Sequence, residues 1–343
     1  MSLRFLATGD LQIHKWKQFS YIREDGQNSR LHNCLRVFDI LKKEAALRGI
    51  TKVLLNGDIF EDNAFIDVEV FDSTYRKLEE LYKENLDVIL NVGNHDICGE
   101  FGGRVIHSLR SFRRIATVVE KPKLLWELLQ VVPWMSNPES IKKAVFRLSG
   151  GSGLVLHCGV QGAVTGPKGY LTRNPIKLED IRLKDFKLVL LSDYHTPQFL
   201  AKNVFYMGSP IAHNFGETHK PCVWDISLSR DGYTAKKIYT GFPEFIRVKA
   251  KKLFDLEAVE DKLKGNYVSV VLQSDKISES EVEAFAKGKF LVRFDHEKED
   301  KTIEPVQVIS ADEALSRYVK SNAKEASQDR LLSLGERIFR GEL

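Results

Sequence analysis

Residues 87–96 read Asp87-Val88-Ile89-Leu90-Asn91-Val92-Gly93-Asn94-His95-Asp96. The first six have the length and apolar character of a buried strand, and Gly93 stops it. Three polar side chains of ligand type follow at once. The same pattern recurs upstream. Thr51 to Leu55 is a strand ended by Asn56-Gly57-Asp58, and Leu3 to Thr8 is a strand that ends at Asp10. Between them, residues 28–48 carry Leu31, Leu35, Phe38, Leu41 and Ala45 at helical spacing, and residues 68–82 form a second helical stretch. Strand, helix, strand, helix, strand predicts a parallel core with helices packed on it.

Downstream the strands are more widely spaced. Leu154-Val155-Leu156 ends at His157, and 186–191 runs into Ser192-Asp193-Tyr194-His195. Residues 222–239 alternate in β fashion around an Asp231-Gly232 hairpin signal. A boundary falls near Gly241-Phe242-Pro243. Beyond it, 245–250, 267–272 and 290–294 read as strands and 256–263 as a helix. Ser278 with Glu281 is a capping box that starts another helix. A third segment opens with the capping box Ser310/Glu313. It carries two apolar stripes, Ala314, Leu315, Tyr318, Val319 and Leu331, Leu334, Ile338, Phe339. So short a helical tail cannot bury both stripes alone; it folds back or docks on a partner. Three parts are expected: 1–242, 243–309 and 310–343.

Composition narrows the class. A chain of 343 residues with 43% hydrophobic and 29% charged residues is globular, not disordered. No run of about 18 apolar residues exists, so a membrane span is not expected. The N-terminus lacks the features of a secretion signal. Four cysteines without a Cys-x-x-Cys pair fit a reducing cytoplasm. A net charge of +4 is too mild to argue for nucleic acid alone.

The polar residues carry the chemistry. Asp10 and Gln12, Asp58, Asn94 with His95, His157, then Asp193 and His195 all follow strand ends, where open α/β sheets place their sites. Carboxylate, amide and imidazole donors suit manganese, magnesium, iron or zinc. Two such ions about 3.5–4 Å apart need a bridging carboxylate, and Asp58 sits at the centre of the set. The matching chemistry is phosphoester hydrolysis: cations neutralise the anionic ester and lower the pKa of a bound water. His95 then protonates the leaving group or stabilises the transition state, with Asp96 orienting it.

Gly57-Asp58, Gly93-Asn94-His95-Asp96, His157 and the Asp-x-His at 193–195 resemble the calcineurin-like metallophosphoesterase superfamily over about residues 3–240. Phe205-Tyr206-Met207-Gly208-Ser209-Pro210-Ile211 with Phe215-Gly216-Glu217 resembles a segment of the SbcD-type DNA repair nucleases. The resemblance implies an α/β metallophosphoesterase β-sandwich flanked by helices, with a small α+β capping domain that binds DNA and a C-terminal helical tail. It implies two Mn2+ ions, with Mg2+ or other divalent cations as substitutes. One metal takes Asp10, Gln12, Asp58 and His195; the other takes Asp58, Asn94, His157 and Asp193. His95 takes the family's transition-state role. The implied substrate is DNA ends, double- or single-stranded. The implied partner is an SbcC-type SMC-like ATPase bound through the tail, with a homodimer in a bacterial or phage-infected cytoplasm.

Three positions depart from the family. Gln12 stands for a histidine, with His14 as a rival ligand. Asp193 stands for another histidine, and Glu61 for a third. Lys15, Lys17, Arg104, Arg110, Arg113 and Arg114 lie close to the motifs and contact phosphate or form an ordinary solvated face. Lys249, Lys251 and Lys252 pose the same choice. Trp16, Phe19 and Tyr21 stack on a base or pack the loop. His32 and His107 read as residues of helical stretches; His213 and His219 flank the Phe-Gly-Glu segment. Two rival functions stand beside the nuclease: a phosphatase of the same superfamily, and a DNA-end scaffold with a weakened site.

Overall fold

The computed structural model describes residues 2–101, 104–148, 150–166, 170–172, 174–217, 219–274 and 276–295, with Val319, Leu331, Leu332 and Leu334 beyond them. Apart from those four, the expected tail and the 296–309 end of the second part lie outside the described residues.

In chain order the body begins β1 (Ser2–Thr8), α1 (Ser29–Arg48), β2 (Lys52–Asn56), α2 (Val68–Lys83) and β3 (Asp87–Asn91). Then come β4 (Ile97–Phe101), β5 (Arg104–His107), β6 (Thr117–Val119), β7 (Lys123–Leu125), β8 (Leu129–Val132) and α3 (Pro138–Arg147). They are followed by β9 (Gly153–His157), β10 (Val164–Thr165), β11 (Tyr170–Leu171), β12 (Leu188–Ser192), β13 (Gln198–Ala201) and β14 (Val204–Tyr206). The hairpin β15 (Cys222–Ser229) and β16 (Tyr233–Tyr239) ends the body.

Two six-stranded mixed sheets result, in the orders β16-β15-β1-β2-β3-β6 and β13-β14-β12-β9-β8-β7. Parallel pairing joins β1 to β2, β2 to β3 and β3 to β6 in one sheet. In the other it joins β8 to β9, β9 to β12 and β12 to β14. The strand burial follows from this: β9 and β12 are buried at every residue, as strands covered on both faces must be. Phe5, Leu54 and Ile89 of the first sheet meet Val155, Leu190 and Phe205 of the second in one apolar layer. Each such burial contributes about 1.5–3 kcal/mol. The outer face of the first sheet is covered by α1 and α2 through Leu31, Phe38, Leu41 and Leu78. α3 covers the second sheet through Ile141 and Val145.

Helix α1 starts where the Asn28 side chain accepts hydrogen bonds from the N–H groups of Arg30 and Leu31, and stops at Gly49 with φ of 63°. Both helices read from 28–48 and 68–82 form, within a residue or two of their expected ends. β8 and the β4–β5 hairpin are not legible, because their apolar runs are short, and α3 adds an amphipathic helix capped by Asn137 that the strand pattern around it does not announce. His107 is not helical: it ends β5.

After the body, β17 (Phe245–Ala250), α4 (Leu253–Glu257), α5 (Glu260–Leu263), β18 (Tyr267–Leu272), α6 (Glu279–Ala286) and β19 (Leu291–Phe294) make a parallel three-stranded sheet with its own core. The single helix expected over 256–263 is two short ones, broken at Val259, whose ψ of 14° leaves the helical range. The Ser278/Glu281 capping box forms as read. Residues 1–295 form one compact unit. Its seam is aromatic: Phe19 touches Phe215, Phe245 and Tyr267 at centroid distances of 5.5, 5.6 and 5.5 Å. Trp16 packs against the body core. Both rings therefore pack the loop. No helix among the described residues is long and apolar enough to cross a membrane.

Candidate metal centre

The loops after β1, β2, β3, β9 and β12 converge. Asp10, Gln12, Asp58 and Asp193 all hold positive φ, at 54°, 43°, 52° and 106°. That backbone is rare for residues with a side chain, and such strain clusters at functional sites. Main-chain bonds hold it: the N–H of Asp10 donates to Gly57 O at 3.0 Å, and that of Gln12 to Asp58 O at 2.9 Å.

Two glycines make room for the convergence. A Cβ on Gly57 would lie 2.2 Å from His157 Nδ1, and one on Gly93 would lie 2.2 Å from Asp58 Oδ1. Both motifs need glycine because a ligand-type side chain occupies the space.

Asp10, Asp58 and His157 each bring one donor atom within 4.8 Å of the others, and all three are buried. His157 Nδ1 faces Asn56 O at 2.7 Å. A carbonyl only accepts, so Nδ1 carries the proton and Nε2 turns inward. There Nε2 lies 3.0 Å from Asn94 Oδ1 and 3.3 Å from Asp58 Oδ1. Burial opposes a charged His157 ring, yet Asp58 beside it outweighs burial and holds its pKa well above the ordinary value. Burial also works against ionised Asp58, but His157 draws its carboxyl below the usual range. Asp10 is pushed up to about 7, mainly by burial. Its Oδ1 accepts from Asp193 N at 3.1 Å, while its buried Oδ2 has no hydrogen-bond partner among the described residues. A lone buried carboxylate oxygen beside a second carboxylate and an inward imidazole nitrogen is a site that calls for a cation. The donors fit a divalent metal of intermediate hardness.

The other expected residues surround this core. Gln12 is buried, whereas the ring of its rival His14 packs edge-on to Trp16 at 5.5 Å. His195 Nδ1 meets Glu217 Oε1 at 2.7 Å, and its pKa rises to about 9: burial opposes the charge, and Glu217 overrides it. Asp193 is raised by burial. A cavity of about 240 Å³ opens beside Asp193, Tyr194, His195 and Glu217. His95 is half-buried, with Nδ1 2.6 Å from Glu61 O. The Glu61 Oε2 stands 3.8 Å from the same nitrogen and has no hydrogen-bond partner among the described residues.

Asp96 does different work from the orienting role expected of it. Its Oδ2 accepts from Asp58 N at 3.0 Å and Gly93 N at 2.9 Å; its Oδ1 accepts from Ile59 N at 3.0 Å. Both oxygens are spent on the main chain, so Asp96 staples the loop after β2 to the loop after β3. It builds the site through the main chain, and its charge also favours the protonated His95 ring.

The basic residues are also redirected. Lys15 is held by Asp67 at 3.0 Å and Glu69 at 2.6 Å. Arg110 and Arg113 both close on Glu120, together with His107. These three cations are structural ion pairs. Lys17 and Arg114 are exposed, and the Arg104 side chain lies outside the described residues.

Residue types alone did not reveal Asn56, whose carbonyl sets the His157 tautomer, or Glu217. The signal for Glu217 was its place in the Phe215-Gly216-Glu217 segment.

A family model described as calcineurin-like phosphoesterase matches residues 3–224. No curated protein matches the sequence. Among solved structures the chain is similar to a crystal structure of Pseudomonas putida nuclease MPE. The identity is 17% and the TM-score 0.25, over 49% of this chain and 66% of that one, just under two thirds of its length.

Proposed function

Since this chain belongs to the calcineurin-like phosphoesterase family, we propose that it hydrolyses DNA phosphodiesters at or near ends, with manganese as its preferred cofactor. The observation that carries the reading is Asp10 Oδ2, without a hydrogen-bond partner among the described residues, in the buried cluster with Asp58 and His157. Asp10, Gln12, Asp58 and His195 would hold one ion, and Asp58, Asn94, His157 and Asp193 the second. Divalent cations bound there supply charge neutralisation at the phosphate and a water of lowered pKa.

The chain's own residues do the rest. The Glu61 carbonyl fixes His95 with Nδ1–H inward to the main chain. Nε2 is then the free nitrogen, and it delivers or holds the proton at the leaving oxygen. Asp96 keeps Asp58 and the Gly93 turn in register.

DNA as the substrate is supported by the Phe205–Ile211 and Phe215–Glu217 segments, by the appended β17–β19 sheet and by the amphipathic stripes after 310. The same reading assigns the tail to an SbcC-type ATPase, and the assembly to a cytoplasmic homodimer. The deciding experiment incubates end-labelled duplex and single-stranded DNA with the protein plus manganese, magnesium or chelator, beside His95→Ala. Manganese-dependent degradation that His95→Ala abolishes supports the proposal. Cleavage of chromogenic monoesters with DNA left intact would replace it with a phosphatase.

A further inference from the structure

The two candidate ligands Asp10 and His195 follow strands of different sheets, so no strand pairing holds them together. The segment Ser209–Glu217 does. Ser209 Oγ and His213 Nε2 reach the Asp10 carbonyl at 2.9 and 3.1 Å. Four residues on, Glu217 is buried and accepts three hydrogen bonds: His195 Nδ1 at 2.7 Å, His213 N at 2.9 Å and Asn214 Nδ2 at 3.0 Å.

We propose that Glu217 is a positioning residue: it fixes His195 with Nδ1 protonated and Nε2 turned into the candidate metal centre. The inference rests on the metal-site reading above. Its chemistry is general. A ligating histidine whose outer nitrogen donates to a carboxylate is locked in one tautomer and one ring orientation, and becomes a stronger base. His213 is buried, with Nε2 facing Ser209 Oγ at 2.9 Å and the Asp10 carbonyl, so its ring is itself fixed within the bracket. The His195 and His213 rings meet edge to face at 5.1 Å, which limits rotation of His195 further.

The test has two readouts, both on the full chain. Calorimetric titration with Mn2+ compares the wild type with Glu217→Leu and Glu217→Gln. Nitrogen-15 spectra of the metal-free imidazoles, recorded above the raised His195 pKa of about 9 so that the ring is neutral, report the His195 tautomer, with its signal assigned by its loss in His195→Gln. Glu217→Leu is expected to weaken manganese binding by about 10–100-fold and to shift His195 away from the Nδ1–H form. Glu217→Gln, which keeps an acceptor, should fall between. If Glu217→Leu does not fold, Glu217→Gln carries both readouts. An unchanged His195 tautomer with affinity within threefold of wild type would overturn the proposal. If the wild type binds no divalent ion, the metal-site reading falls, and the tautomer spectra still decide the role of Glu217.

Discussion

His95 Nδ1 lies 2.6 Å from the main-chain oxygen of Glu61. Because the acceptor is backbone, the residue type at 61 does not alter this bond. Glu61 therefore holds the His95 tautomer through its main chain, whatever its side chain does. His95→Ala should therefore remove proton delivery without dismantling the buried Asp10, Asp58 and His157 cluster. DNA hydrolysis is expected to fall about 10²–10⁴-fold, while the manganese dissociation constant by calorimetry stays within a few-fold. A matching collapse of metal affinity would show that His95 is a ligand.

Metal binding should stabilise the fold measurably. The cluster places two carboxylates and an inward imidazole together in the dry interior. A cation held at 100 times its dissociation constant adds about 2.7 kcal/mol. Thermal unfolding should show Tm rising with manganese concentration and falling back with chelator. Asp58→Asn should flatten that response. A Tm indifferent to manganese in the wild type would contradict the site.

Gly93→Ala probes the steric logic of the Gly-Asn-His-Asp motif. The new methyl would meet Asp58 Oδ1 at 2.2 Å and Asp58 N at 2.4 Å, and the neighbour is partly backbone. Loss of manganese binding is expected, with destabilisation of about 2 kcal/mol or more. Gly232→Ala is the control, since a Cβ there meets nothing within 4 Å. Chemical denaturation of the two variants should separate them clearly.

These sites differ in how far the sequence discloses them. Asp10, Asp58 and His157 were readable because each ends a short apolar run and is polar where the run would otherwise continue. The parallel order of β1, β2 and β3 followed from the same runs. Lys15, Arg110 and Arg113 misled, because their partners Asp67, Glu69 and Glu120 lie on other elements and only folding brings them together. Asp96 misled differently: adjacency to His95 suggested a shared task, yet its carboxylate points back to the main chain. β8 is hidden because a four-residue run carries little periodic signal, whereas α3 is legible in retrospect: Ile141 and Val145 recur four residues apart behind the Asn137 cap and Pro138.

Glu120 yields a pH prediction away from the metal centre. Burial raises its pKa, but His107, Arg110 and Arg113 outweigh burial and bring it down to about 2 from 4.5. A depressed carboxyl stabilises the fold above the unfolded-state pKa, and the gain is lost as pH falls through the folded value. Partial exposure and solvent screening leave about 1–2 kcal/mol of that gain. Glu120→Gln should thus be less stable than wild type at pH 7 in urea denaturation. The gap should narrow as pH falls from 4.5 to about 2. A gap that is constant with pH would mean that packing, not charge, is what Glu120 contributes.

Arg30 joins the body to the β17–β19 sheet with no ion-pair partner in contact among the described residues; Glu217 acts on it only at longer range. It is buried, and its guanidinium lies 5.3, 5.1 and 5.1 Å from the ring centres of Trp16, Phe245 and Tyr267. It donates to the carbonyls of Gln18, Ala212 and His213 at 3.4, 3.3 and 3.4 Å. A planar, weakly hydrated cation suits this aromatic cage; an ammonium does not. Arg30→Lys keeps the charge but loses the fork and most of the stacking. It should cost about 1–3 kcal/mol and open the seam to protease. Limited proteolysis would then release the 245–295 region sooner than in wild type. Equal cleavage rates would show that Phe19, Phe215, Phe245 and Tyr267 hold the seam by themselves.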